Sequence, residues 1–164
     1  MRLPILIVLH QANSTPGRVG NALRERGYAL DTIETALPWA GALAAARTIQ
    51  HTLRDSFVAR GRRLLVFTHL SHIYTDGASV YTTYLFPRAD DPDDTVATWR
   101  AAKLAVSLAI VRLGGTISHQ HGVGLDHAPF LEAEKGPAGV AVLRAAFRTF
   151  DPEGILNPGK LIQL

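Results

Sequence analysis

Two histidines separated by one residue, His119 and His121, stand among glycines in the stretch Gly114-Gly115-Thr116-Ile117-Ser118-His119-Gln120-His121-Gly122-Val123-Gly124. Neutral imidazole accepts a proton near physiological pH, and imidazolium stabilises an anion. On an extended segment, side chains at i and i+2 point to the same side. Gly122 and Gly124 admit positive φ and a close approach of the backbone to a ligand. The spacing suits three uses: structural histidines beside a turn, an acid/base pair, or two ligands of a metal ion. A metal needs a third ligand, for which His69, His72 and Asp76 are the candidates, and no spacing in the chain requires one.

A second group of polar and aromatic residues runs through Val66-Phe67-Thr68-His69-Leu70-Ser71-His72-Ile73-Tyr74-Thr75-Asp76-Gly77. His69 falls within an apolar strand pattern, which suits a core or interface histidine. His72 falls at the strand end, where ligand-facing residues are common. Tyr81 and Tyr84 follow on the next strand. Three apart, they face opposite sides, so at most one of them points at a site on a given face.

The elements that position these residues follow from periodicity and turn chemistry. Ile5–Leu9 is a short apolar run with strand character, and Ser14-Thr15-Pro16 caps a helix that ends near Arg26 and Gly27. Thr32–Leu37 alternates as a strand. Pro38 opens a helix from Trp39 to Arg60, with Leu43, Ala46, Ile49, Leu53 and Phe57 on one face. Leu64–Leu70 and Ala78–Phe86 are strands joined by a turn at Thr75-Asp76-Gly77. Asp93 or Asp94 caps a long helix to Leu113, and Thr116–Ser118 is a short fourth strand. From Thr32 the order is β-α-β-β-α-β, an α+β, ferredoxin-like arrangement with an antiparallel sheet and helices on one face. A helical tail, from about Pro137 to Phe150, and a turn-rich end complete the chain.

The totals narrow the function. A chain of 164 residues, 47% hydrophobic, is long enough for one domain with a core. A net charge of +3 with scattered basic residues does not suggest nucleic acid. The absence of cysteine removes thiolate metal sites, disulfides and a Cys nucleophile. No apolar stretch approaches the roughly 18–20 residues that span a bilayer, and the opening run lacks a signal-peptide cleavage site, so the expected location is cytoplasmic.

The string from Gly114 to Gly124, with Asp126-His127-Ala128-Pro129 after it, resembles the His-rich loop of FAD-linked oxidases of the alkylglycerone-phosphate synthase type, in the vanillyl-alcohol-oxidase superfamily. So do His69-Leu70-Ser71-His72-Ile73-Tyr74, Asp76-Gly77-Ala78-Ser79-Val80-Tyr81 and the closing Phe150-Asp151-Pro152 to Gly159-Lys160-Leu161. The resemblance covers residues 32–164 and implies the C-terminal substrate domain of such an enzyme. It implies FAD as cofactor, held mostly by an upstream domain of roughly two hundred residues. It implies a small phosphorylated or hydroxy-acid substrate, and either an FAD-binding domain partner or a homodimer across the exposed former interface.

By the same resemblance Tyr81 is the acid/base that takes the substrate's C1 proton, and His119 and His121 are catalytic residues beside the flavin. Gln120, Gly122, Gly124, Asn157 and Lys160 then belong to the cofactor side. The implied reaction exchanges an acyl group of dihydroxyacetone phosphate for a fatty alcohol without net redox change. Gln120 replaces a histidine of the family pattern and cannot titrate near pH 7. The related flavin 2-hydroxyacid dehydrogenases carry a His-x-Gly-Asp-Gly-Asn-Leu-His metal pattern whose second histidine this chain lacks, so no metal is expected from the resemblance. A non-catalytic truncated or fused product is the third reading. Residues 3–31 resemble the opening of a class I glutamine amidotransferase, which suggests a junction near Tyr28–Asp31. Without cysteine that activity has no nucleophile.

Overall fold

The computed structural model describes residues 17–162. The expected strand Ile5–Leu9 and the cap at Ser14-Thr15 lie outside the described residues. The order is α1 (Gly17–Glu25), β1 (Tyr28–Pro38), α2 (Trp39–Val58), β2 (Leu65–Ile73), β3 (Gly77–Pro87), α3 (Pro92–Arg112), the single turn α4 (Gly124–His127), a 3-10 turn (Ala128–Phe130) and α5 (Leu131–Phe150). β1 begins at Tyr28, so the expected division between residues 31 and 32 falls inside a strand.

The architecture is α+β, with a three-stranded antiparallel sheet in the order β1-β3-β2. Alternation along β1 sends Ala29, Asp31, Ile33, Thr35 and Leu37 to the covered face. There they meet the buried stripe of α2 and α3. On α2 that stripe is Ala42, Ala45, Ile49, Leu53 and Phe57. It differs from the expected one at its start, because Leu43 is 64% exposed. The small Ala42 and Ala45 let the first turns of the helix approach the sheet, and Leu43 is rotated outward. α3 is capped by Asp91 rather than by Asp93 or Asp94, its carboxylate accepting from the Asp93 N–H at 2.9 Å. Pro92 takes the first helical position, and Asp93 and Asp94 then fall in the first turn, where negative charge suits the helix dipole.

The fourth strand expected over Thr116–Ser118 is not formed. The segment runs along the free edge of β1 and donates to it twice, from Thr116 N–H to Ala36 C=O at 3.2 Å and from His119 N–H to Glu34 C=O at 3.4 Å. Between these, Ile117 N–H donates instead to the Glu134 carboxylate of α5 at 2.6 Å. A ladder cannot continue through a donor already committed elsewhere. Glu134 is held below the usual glutamate range: burial pushes it up, but Lys135, the Ile117 N–H and the Thr116 hydroxyl outweigh that. α5 is two helical segments that meet at the non-helical Gly136, whose φ is 70°; the second runs from Pro137 to Phe150, as expected, and a short one precedes it from Leu131.

Close approach of backbone makes Gly77 indispensable. It pairs with Pro38 in the β1–β3 ladder, and a Cβ there would run into the Leu37 carbonyl oxygen and the Pro38 Cα. Gly77→Ala is expected to cost about 1–3 kcal/mol, read as a lower urea midpoint at unchanged slope. An unshifted midpoint would show that this end of the ladder gives way freely.

Candidate active site on the open sheet face

The face of the sheet away from α2 and α3 carries the site, and the strand register assembles its first row. Glu34 on β1, Tyr81 on β3 and His69 on β2 are directly paired neighbours, so their side chains share one face. The His69 ring stacks on Tyr81 with centroids 5.1 Å apart. Tyr84, three residues on, points the other way and is fully buried, as its spacing from Tyr81 requires.

A bulge between Leu70 and Ile73 breaks the alternation of β2 and re-aims His72 toward this row. The His72 N–H donates to Ser79 Oγ at 2.9 Å, and its Nδ1 lies 3.3 Å from the same hydroxyl.

The loop after α3 crosses the edge of β1 and folds onto the open face. It turns tightly, with His121 N–H donating to His119 C=O at 2.8 Å and Ser118 Oγ donating to Gly122 C=O at 2.7 Å. Gln120 takes φ 48° at the apex and Gly122 takes 76°. A left-handed backbone at a non-glycine residue costs on the order of 1–3 kcal/mol, held here by the bonds on either side. His119 and His121 converge as expected, but a turn brings them together rather than a strand.

They converge on Glu34, a residue that sequence reasoning passed over. The Glu34 side chain is wholly buried under the loop. His119 Nδ1 lies 3.2 Å and His72 Nδ1 3.5 Å from its Oε1, and His121 Nε2 lies 3.1 Å from Oε2. Tyr74 Oη sits 2.8 Å from His119 Nε2, and the Gln120 amide 3.5 Å from His72 Nε2. The Tyr81 and His121 rings stand nearly perpendicular with centroids 5.7 Å apart. The signal available beforehand was a carboxylate at an alternating position of a strand whose other face was apolar.

Behind this row lies a second polar group on the covered face. Asp31 Oδ2 accepts from Tyr84 Oη at 2.8 Å, Trp99 Nε1 at 2.7 Å and Lys103 Nζ at 3.0 Å, and Lys103 also donates to Thr32 C=O at 2.9 Å. Burial opposes ionisation of Asp31, yet Lys103 and the two other donors hold its carboxyl below the usual range. Burial, reinforced by Asp31, pushes the Tyr84 hydroxyl well up. His127 is pulled down, first by burial and then by Lys103.

Of the residues singled out from sequence, Tyr81, His119, Gln120 and His121 come together, with Gly122 in the same loop and Gly124 opening α4. Asn157 and Lys160 line a different cavity, of about 720 Å³, with Phe147 and Arg148. The tail touches the loop through Leu161 N–H, which donates to Gly124 C=O at 3.4 Å. The closing Asp151 is structural: its carboxylate accepts from the N–H groups of Ile155 and Leu156 at 3.0 and 2.8 Å.

A family model described as FAD linked oxidases, C-terminal domain, matches residues 10–161. The chain belongs to this family. The match begins well inside the segment read as a separate leader. An alkyldihydroxyacetonephosphate synthase from Dictyostelium discoideum is 30% identical over 133 residues, which cover 81% of this chain and 21% of that protein. The Trypanosoma brucei brucei protein of the same name is 25% identical over 132 residues, 80% of this chain and 21% of its own length. A D-2-hydroxyglutarate dehydrogenase from Stutzerimonas stutzeri is 32% identical over 83 residues, 51% of this chain and 18% of that one. A solved structure of an alkyldihydroxyacetonephosphate synthase shares the fold, with a TM-score of 0.58 at 22% identity over 85% of this chain and 22% of the other. The chain thus spans about a fifth of the length of these synthases.

FAD is the cofactor of the FAD-linked oxidase family. The loop that lies on the open face leaves room for a ligand. Space beside Gly122 and Gly124 is clear, with nothing within 4 Å of a notional Cβ at either. Among the described residues no helix is long and apolar enough to cross a membrane.

Proposed function

We propose that this chain is the substrate-side domain of a flavoenzyme of the alkyldihydroxyacetonephosphate synthase type, completed by an FAD-binding domain. The observation that carries this reading is the convergence of Tyr81, His119 and His121 on one open sheet face around the buried Glu34. Among the described residues that face exposes apolar side chains, Leu65 at 61% and Phe67 at 48%. Exposed apolar surface of this kind suits a partner domain.

In this reading Tyr81 takes a proton from the carbon of dihydroxyacetone phosphate next to its acyl group, and His121 orients the phenol. His119, anchored between Tyr74 and Glu34, helps fix the substrate. When bound, FAD would supply an electron sink for that carbon while the acyl group leaves and would return the electrons as the fatty alcohol adds, so that no net redox change results. The amidotransferase-like junction over residues 1–31 and a cytoplasmic location belong to this proposal too, supported by the sequence alone.

The test combines the purified chain with the FAD-binding domain of a synthase-type relative, and follows fatty-acid release from acyl dihydroxyacetone phosphate in the presence of a fatty alcohol. Exchange only when both parts are present is the expected result. Reduction of an electron acceptor by a 2-hydroxy acid instead would move the chain to the dehydrogenase branch, which the shorter match to a D-2-hydroxyglutarate dehydrogenase favours. Flavin bound with neither activity would make it a non-catalytic product.

A further inference from the structure

We propose that Glu34, His72 and His119 form a binding site for a divalent first-row transition metal ion of the Zn²⁺ class. The inference goes beyond the flavoenzyme reading and does not depend on it. It starts from the Glu34 carboxylate, whose side chain has no exposure and neither of whose oxygens accepts a hydrogen bond. An ionised carboxylate taken out of water costs several kcal/mol unless a positive charge or good donors compensate. Among the described residues, imidazole nitrogens of His72, His119 and His121 stand at contact distance from it, off hydrogen-bonding directions.

The distances suit a shared cation. Ligand atoms at 2.0–2.2 Å from a tetrahedral Zn²⁺ lie about 3.3 Å from one another. Glu34 Oε1 is 3.2 Å from His119 Nδ1 and 3.5 Å from His72 Nδ1. One ligand atom from each of the three residues lies within 4.8 Å of the others.

The outer ring nitrogens carry the second half of the argument. Metal-binding histidines characteristically engage their other nitrogen with a fixed partner, which sets the tautomer and leaves the inner lone pair for the metal. His119 Nε2 meets Tyr74 Oη at 2.8 Å. His72 Nε2 lies 3.5 Å from the Gln120 amide nitrogen. Two imidazoles and one carboxylate match a Zn²⁺ set that keeps a position open. His72, the most exposed of the three at 40% of its side chain, marks the accessible side, and an oxygen ligand such as a substrate hydroxyl or phosphate is the class of group that would complete it.

The full chain, dialysed against chelator and without flavin, is titrated with Zn²⁺ by calorimetry and with Co²⁺ by visible spectroscopy. Stoichiometric binding and the intense visible bands of four-coordinate Co²⁺ are expected. Glu34→Gln and His119→Gln should abolish them, Tyr74→Phe should weaken binding about 10–100-fold, and His69→Gln should leave it intact. Circular dichroism reports folding, and His119→Gln, on a surface loop, keeps the test decisive if Glu34→Gln does not fold. Absence of binding to the parent chain, or equal affinity in folded His119→Gln, would overturn the site. Because no flavin is present, neither result bears on the catalytic reading.

Discussion

Asp31→Asn should destabilise the fold by about 3–5 kcal/mol, because it leaves the Lys103 ammonium buried without its counter-charge. The Lys103 side chain is 9% exposed and that of Asp31 3%. Asparagine keeps the shape and can still accept from Tyr84 and Trp99, so the loss isolates the charge. Lys103→Met should cost a similar amount for the converse reason. The double variant should lose far less than the sum, since it removes both charges together. Against a typical domain stability of about 5–15 kcal/mol, either single change consumes a large share.

The pH dependence has a defined sign. Asp31 is held below its ordinary value in the fold, so its contribution is fully present above the unfolded value of about 3.9 and is lost as pH falls through the lower folded value. The gap in stability between the parent and Asp31→Asn should therefore be widest near neutral pH and narrow in acid. Urea midpoints at a series of pH values measure this. A gap that stays constant with pH would remove ionisation of Asp31 from the explanation.

Tyr81→Phe should lower turnover of the reconstituted two-domain enzyme by about 10²–10⁴-fold, the usual worth of a positioned general acid or base. The substitution is conservative in packing: the ring that stacks on His69 at 5.1 Å and meets His121 at 5.7 Å is retained, and only the hydroxyl is lost. Stability should move by no more than about 0.5 kcal/mol, and flavin binding should be unaffected. If turnover persists at the parent rate while the variant is folded and flavin-loaded, Tyr81 has no part in the proton transfer.

His119 and Tyr81 depend on different supports, which sets how far damage at one site spreads. Tyr81 is placed by its strand register opposite Glu34 and His69, and its ring also meets those of His69 and His121. The histidine loop hangs from the edge of β1 and from Glu134 on α5. Changes in α5 that release the Ile117 N–H therefore reach His119 and His121 first, and Tyr81 only through its ring contact with His121.

What the sequence determined by itself is local. The alternation of β1 and β3, the separation of Tyr81 from Tyr84, the turn at Asp76-Gly77 and the glycine-bracketed His119-Gln120-His121 follow from periods of two and from the φ freedom of glycine, neither of which needs distant partners. The residue types in that turn were also enough to mark the family. Tertiary structure decided the rest. Glu34 looked like an ordinary solvent-facing strand position, and only the loop crossing the edge of β1 buries it beneath three imidazoles. Thr116–Ser118 carries strand chemistry, but the Glu134 carboxylate, contributed by a helix further along the chain, takes the Ile117 donor that a ladder would use. Asp31 and Lys103 stand 72 positions apart, and neither position signals its partner. Burial and pairing of a polar group depend on which remote segment arrives beside it, and no local pattern encodes that arrival.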